Sequence, residues 1–96
     1  MSRPAPRLYL VAYDIAADRR RKKVMKALEA VGLRVNFSVF EARLTAAALA
    51  GLLTTLDGLI DARHDHIRVY PLPKPSIDRL RILGKDRPSY PAVTVL

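Results

Sequence analysis

Residues 8–26, LYLVAYDIAADRRRKKVMK, decide the fold of this chain. Leu8 to Tyr13 is an unbroken apolar stretch of strand length, and Asp14 stands at its carboxyl end. After Ile15-Ala16-Ala17, Asp18 reads as the amino cap of a helix. Its first two turns hold Arg19, Arg20, Arg21, Lys22, Lys23 and Lys26. Val24, Met25, Leu28 and Val31 give this helix an apolar stripe, and Gly32 reads as its carboxyl cap. Cations near a helix amino end oppose the dipole at about 0.3–1 kcal/mol each. A basic block unmatched by nearby acids therefore points outward, to a polyanion. Asp14 draws attention for a different reason, since ligands and metals collect beyond the carboxyl ends of central strands.

Outward from that stretch, residues 33–44 (LRVNFSVFEARL) are rich in β-branched and aromatic side chains and read as extended. The segment is long for one strand, and Asn36-Phe37-Ser38 can divide it in two by a bulge or tight turn. Thr45 caps a second helix with Leu49, Leu52, Leu53 and Leu56 on one side. Asp57-Gly58 and residues 61–65 read as connecting loop. Residues 66–72 (HIRVYPL) alternate as a strand and are stopped by Pro71, Pro73 and Pro75. Residues 77–83 and 92–96 are further strand candidates, separated by a turn-rich stretch. The order predicts an α+β chain: a ferredoxin-like βαββαβ sandwich whose antiparallel sheet carries helices on one face. The bare face needs cover, and a homodimer is the simple way to supply it. Residues 1–7 are expected to be a flexible extension and 8–83 the domain. Residues 84–96 are expected to place an extra carboxyl-terminal strand, 92–96, on the sheet edge of the neighbouring subunit.

With 96 residues the chain supports one small core, and a domain of this size gains from association. The net charge of +8 and pI near 10.5 favour nucleic acid or an anionic surface as partner. There is no cysteine, which removes disulfides and thiolate metal sites. No apolar run reaches the length of a membrane span, and the opening residues lack the apolar core of a signal peptide, so a cytoplasmic protein with no membrane partner is expected.

Three pieces now stand together: YLVAYDI at 9–15, the basic helix running to Gly32, and RVNFSVFE at 34–41, with HIRVYPL at 66–72 completing the set. In this order and within so short a chain they closely resemble the CRISPR-associated Cas-two family of small adaptation proteins, over residues 8–96. The resemblance implies a ferredoxin-like homodimer with the two first-strand aspartates facing each other. It also implies partnership with the Cas-one integrase on duplex DNA. Family members are further described as magnesium-dependent nucleases on single-stranded RNA or duplex DNA, with manganese as a substitute ion. By match to the family's motifs, Asp14 is the metal-binding and catalytic aspartate and Tyr13 its catalytic neighbour. Arg21 and Lys23 fall among the active basic residues, and Arg34 and Phe40 match the basic and aromatic positions of the second motif. Asn36 departs from the more usual glutamine, and Ala16-Ala17 replace a position where a polar or acidic side chain is common.

The residues themselves leave some roles open. Phosphodiester hydrolysis needs an activated water and neutralised phosphate charge, which a magnesium ion on carboxylates supplies. One aspartate is a poor site alone, whereas two across a dimer axis can share an ion; otherwise Asp14 only starts a turn. Tyr13 points either to the site or into the core, and Phe40 is a core or interface aromatic. His64 and His66 read as loop and strand-end residues with no third ligand. Three functions compete: a metal-dependent endonuclease, a purely architectural DNA-bridging dimer, and a ferredoxin-like RNA-binding module. The last is disfavoured because the strands lack an aromatic-rich stacking motif. In each, Arg19, Arg20, Arg21, Lys22, Lys23, Lys26 and Arg34 are the expected phosphate contacts.

Overall fold

The computed structural model describes residues 5–85. The elements run β1 (Arg7–Asp14), α1 (Asp18–Glu29), β2 (Gly32–Asn36), β3 (Val39–Leu44), α2 (Ala46–Leu59), β4 (His66–Leu72) and a short α3 (Lys74–Ile77). The four strands form one sheet in the order β2-β3-β1-β4, and every neighbouring pair is antiparallel. This is the ferredoxin-like arrangement, with β1 central and carrying Asp14 at its end.

Alternation along the strands sorts the sheet into two faces. Val11 and Tyr13 of β1, and Phe40, Ala42 and Leu44 of β3, are buried against Val24 and Leu28 of α1 and Ala48, Leu52 and Leu56 of α2. Phe40 is fully buried and stacks on Tyr13 with ring centroids 6.3 Å apart, which resolves both aromatics as core. The opposite face carries Leu8, Leu10 and Ala12 of β1 and Val39 of β3, all only half-buried, beside the exposed Arg43, Arg68 and Tyr70. Among the described residues only α3 and Leu80 approach that otherwise uncovered face, where Lys74, Ile77 and Leu80 line a cleft with Leu8, Arg43 and Leu72.

Several local expectations hold. Residues 37–38 turn the chain between β2 and β3, with a register shift between Arg34 and Asn36. The Thr45 hydroxyl accepts the Ala48 amide at 3.2 Å and caps α2. Others change. Ala17 occupies the cap of α1 without a side-chain bond, and Asp18 is the first helical residue, its carboxylate taken by Arg21. Asp57 and Gly58 lie inside α2 rather than in a loop. Residues 77–83 are not a strand: the chain makes the single turn α3, held by the Asp78 amide on the Lys74 carbonyl (2.9 Å), then continues without regular structure. The strand expected at 92–96, with its swapped pairing, lies outside the described residues. Among those residues no helix is long and apolar enough to cross a membrane.

Gly32 is the first residue of β2 rather than a helix cap, because the chain passes too close to β3 for a side chain. A Cβ there would sit 2.7 Å from the Glu41 carbonyl oxygen and 3.2 Å from the Ala42 Cβ. Neither backbone can retreat without breaking the β2–β3 ladder. Gly32→Ala should therefore lower stability by about 1–3 kcal/mol, read as a shift in the denaturant midpoint with an unchanged slope.

Candidate nucleic-acid interface and carboxylate site

β1 delivers Asp14 to the edge of the uncovered face, one residue past the buried Tyr13. Successive strand side chains point to opposite faces, so Tyr13 and Asp14 diverge. The Tyr13 hydroxyl donates to the Phe37 carbonyl oxygen at 3.1 Å, and its amide donates to the Ser38 carbonyl at 3.0 Å. Burial pushes its phenol above the ordinary range, against the pull of Arg34 and Arg21, so it stays a protonated donor. Tyr13 therefore positions the end of β1 against the β2–β3 turn.

Asp14 is exposed and has no hydrogen-bonding partner among the described residues. Its register partner is His66, the first residue of β4, exposed on the same face. Among the described residues no three histidines or carboxylates converge as a metal cluster. The donor chemistry still suits a hard cation such as magnesium, which is commonly held by one or two carboxylates with water and substrate oxygens. One chain supplies one such carboxylate, and the uncovered face on which it lies is where a second copy would bring another.

The basic block divides into two groups with different work. Arg20 turns inward to Asp65, with Nε 2.6 Å from Oδ2 and Nη2 3.1 Å from Oδ1. The Asp65 side chain is buried and also accepts the amides of Ala16 (2.9 Å) and Asp61 (2.8 Å). It is a latch joining the β1–α1 loop, α1 and the turn before β4. The Arg20 guanidinium, helped by those two amides, holds its carboxyl well below the usual range despite burial. Arg21 is likewise engaged, by Asp18 and by the Ile15 carbonyl at 2.9 Å. Both arginines were expected on the phosphate surface with no acid to match them; the matching acids lie 45 residues downstream in one case and one turn away in the other.

Arg19, Lys22, Lys23 and Lys26 remain, all exposed and with no ion-pair partner among the described residues. Their spacing, i, i+3, i+4 and i+7, places them on one face of α1. At 1.5 Å per residue the row is roughly 10 Å long, enough to span about three phosphates of one DNA strand. Like charges one turn apart weaken a free helix, so the row favours a bound polyanion. Arg19 and Lys23 also line a cleft of about 350 Å³ between the start of α1 and the end of α2.

Arg34 is exposed on β2, its Nε and Nη2 donating to the Phe37 carbonyl at 3.2 and 2.7 Å. Arg43 and Arg68 both open onto the uncovered face. The Asp65 latch is the residue that sequence reasoning missed. Its only signal was the pair of aspartates at 61 and 65, which also suits a plain solvated loop.

Comparison with known proteins agrees with this geometry. The family model "CRISPR associated protein Cas2" matches residues 7–80. The CRISPR-associated endoribonuclease Cas2 3 of Synechocystis sp. is 37% identical over 89 residues, covering 93% of this chain and 97% of that protein. The crystal structure of Streptococcus pyogenes Cas2 at pH 6.5 superposes with a TM-score of 0.71 at 34% identity, covering 80% of this chain and 99% of that one. A chain of a partial Cas6-RT-Cas1–Cas2 complex superposes with a TM-score of 0.72 at 30% identity, covering 94% and 99%.

Proposed function

The chain belongs to the CRISPR-associated Cas2 family, and from that premise we propose that it is a nucleic-acid-binding subunit of CRISPR adaptation. It acts as a homodimer and works with the Cas1 integrase in the capture and integration of foreign duplex DNA. It also carries a magnesium-dependent endonuclease site for single-stranded RNA or duplex DNA. The observation that carries the binding role is the row Arg19, Lys22, Lys23 and Lys26, unpaired on one helix face. A relative named as an endoribonuclease supports the nuclease site, and the superposition on one chain of a Cas6-RT-Cas1–Cas2 complex supports the integrase partner.

In this reading the uncovered face pairs with its copy, burying Leu8, Leu10, Ala12 and Val39 and bringing two Asp14 side chains together. Magnesium, or manganese in its place, supplies phosphate charge neutralisation and water activation when bound there. The chain's own part is to hold the phosphate backbone along α1 and to keep Asp14 at a fixed height. The latter depends on the two Tyr13 hydrogen bonds to the 37–38 turn. A row of exposed cations on a helix face suits phosphate contacts, which carry no sequence information, so binding is largely independent of sequence. The purely architectural alternative draws on one observation, the single carboxylate per chain.

Binding should weaken steeply with salt, with a log–log slope of about −0.9 for each phosphate contacted. Replacing any one of Arg19, Lys22, Lys23 or Lys26 with alanine should reduce that slope by about 1 without changing the melting temperature. Anisotropy titrations of a labelled duplex between low and physiological salt measure it. Slopes that stay at the native value in all four variants would remove α1 from the interface.

A further inference from the structure

The chain has two phenylalanines, and they have opposite fates: Phe40 is fully buried, whereas Phe37 is 84% exposed at the tip of the β2–β3 hairpin. The exposed ring sits on an unusually well-held backbone. The Phe37 carbonyl accepts from the Tyr13 hydroxyl and from Nε and Nη2 of Arg34. Its amide donates to Asn36 Oδ1 at 2.8 Å. The next carbonyl, of Ser38, accepts the Tyr13 amide, which ties the tip to the strand end bearing Asp14. The Arg34 Cζ lies 5.9 Å from the ring centroid, so a cation flanks the aromatic surface.

A large apolar ring presented to water on a pinned turn costs solvation and contributes nothing to this core. An aromatic face beside a guanidinium has the makings of a stacking platform for an unpaired nucleobase. Stacked duplex bases have no free face to offer such a ring. We propose that Phe37, flanked by Arg34, is a base-stacking residue that gives this protein a preference for single-stranded nucleic acid at the Asp14 end of the sheet. The inference rests on the nucleic-acid-binding reading above and assigns a substrate class to one edge of that surface. Arg34 is compatible with a phosphate role, since its guanidinium flanks the ring and is exposed.

The test compares an unstructured single-stranded RNA with a duplex DNA of equal length, using native protein, Phe37→Ala and Phe37→Trp. Phe37→Ala should lose about tenfold in affinity for the single strand and stay within about twofold of native on the duplex. Phe37→Trp should keep the single-strand affinity. Because the native chain has no tryptophan, that variant's emission, excited selectively beyond the tyrosine absorption, comes from the tip alone and should be quenched by the RNA but not by the duplex. The position is exposed, so both variants should melt with the native protein. Three results overturn the assignment: native single-strand affinity in Phe37→Ala, an equal loss on both polymers, or a shift of Phe37→Ala toward monomer in sedimentation, which would make the ring a protein contact. Native protein that binds neither polymer would instead bring down the nucleic-acid reading itself, and this inference with it.

Discussion

Asp14→Ala is expected to lower metal-dependent cleavage on the order of a thousandfold while leaving duplex binding in chelator intact. The two effects separate because of where Asp14 sits. It is exposed at the last position of β1 and has no hydrogen-bonding partner among the described residues, so its removal leaves no buried group unsatisfied. The cations of α1 and the turn at 37–38 do not depend on it. In metal-free buffer, loss of one negative charge should raise affinity for a polyanion slightly. In magnesium the native protein should cut labelled RNA or duplex and the variant should not. Asp14→Asn is the companion, keeping the shape while losing the charge a hard cation needs. Cleavage that persists in both variants would place the chemistry elsewhere. A native protein that binds duplex but cuts neither polymer in magnesium or manganese would support the architectural reading, with Asp14 outside the function.

The strand that carries Asp14 was legible as a continuous apolar run from Leu8 to Tyr13, and the hairpin was legible because twelve extended residues exceed one strand. The Thr45 cap showed itself by residue type ahead of a leucine stripe. The failures have a common cause. Residues 77–83 carry the Ile and Leu content of a strand candidate, but β-propensity is realised only against a partner edge, and among the described residues none is formed there. Lys74 instead pairs with Asp78 one turn on, and Leu80, Ile82 and Leu83 remain exposed. Gly32 looked like a helix cap since local sequence cannot reveal that β3 passes 2.7 Å from where its Cβ would be. The basic block looked uniform for the same reason. Nothing within a few residues of Arg20 announces that its acid arrives at position 65.

That acid carries the other large effect. Asp65→Asn is expected to lower the melting temperature on the order of 10 °C at neutral pH. Four N–H groups converge on the native carboxylate, two on each oxygen: Ala16 and Arg20 Nη2 on Oδ1, Arg20 Nε and Asp61 on Oδ2. An amide of the same shape has one acceptor oxygen. Its –NH₂ would face two of these donors inside the protein and leave them unpaired, and the guanidinium would lose its counter-charge. The sign of the pH dependence follows. The folded carboxyl titrates below its unfolded counterpart, which lies near ~3.9, so the contribution is complete above that value. It is then lost progressively as the pH falls toward the folded value. The gap in unfolding free energy between native protein and Asp65→Asn should thus be constant from pH 5 to 8 and narrow in acid. A gap that is absent at neutral pH, or that widens on acidification, would show that the latch is not the carboxylate's work. The consequence reaches the nucleic-acid surface. The latch sets the start of α1 against the turn before β4, so the variant should misplace Arg19 and Lys23, although Asp65 itself touches no substrate. Its duplex affinity should fall even well below its own melting temperature, whereas Asp14→Ala, at full stability, keeps it.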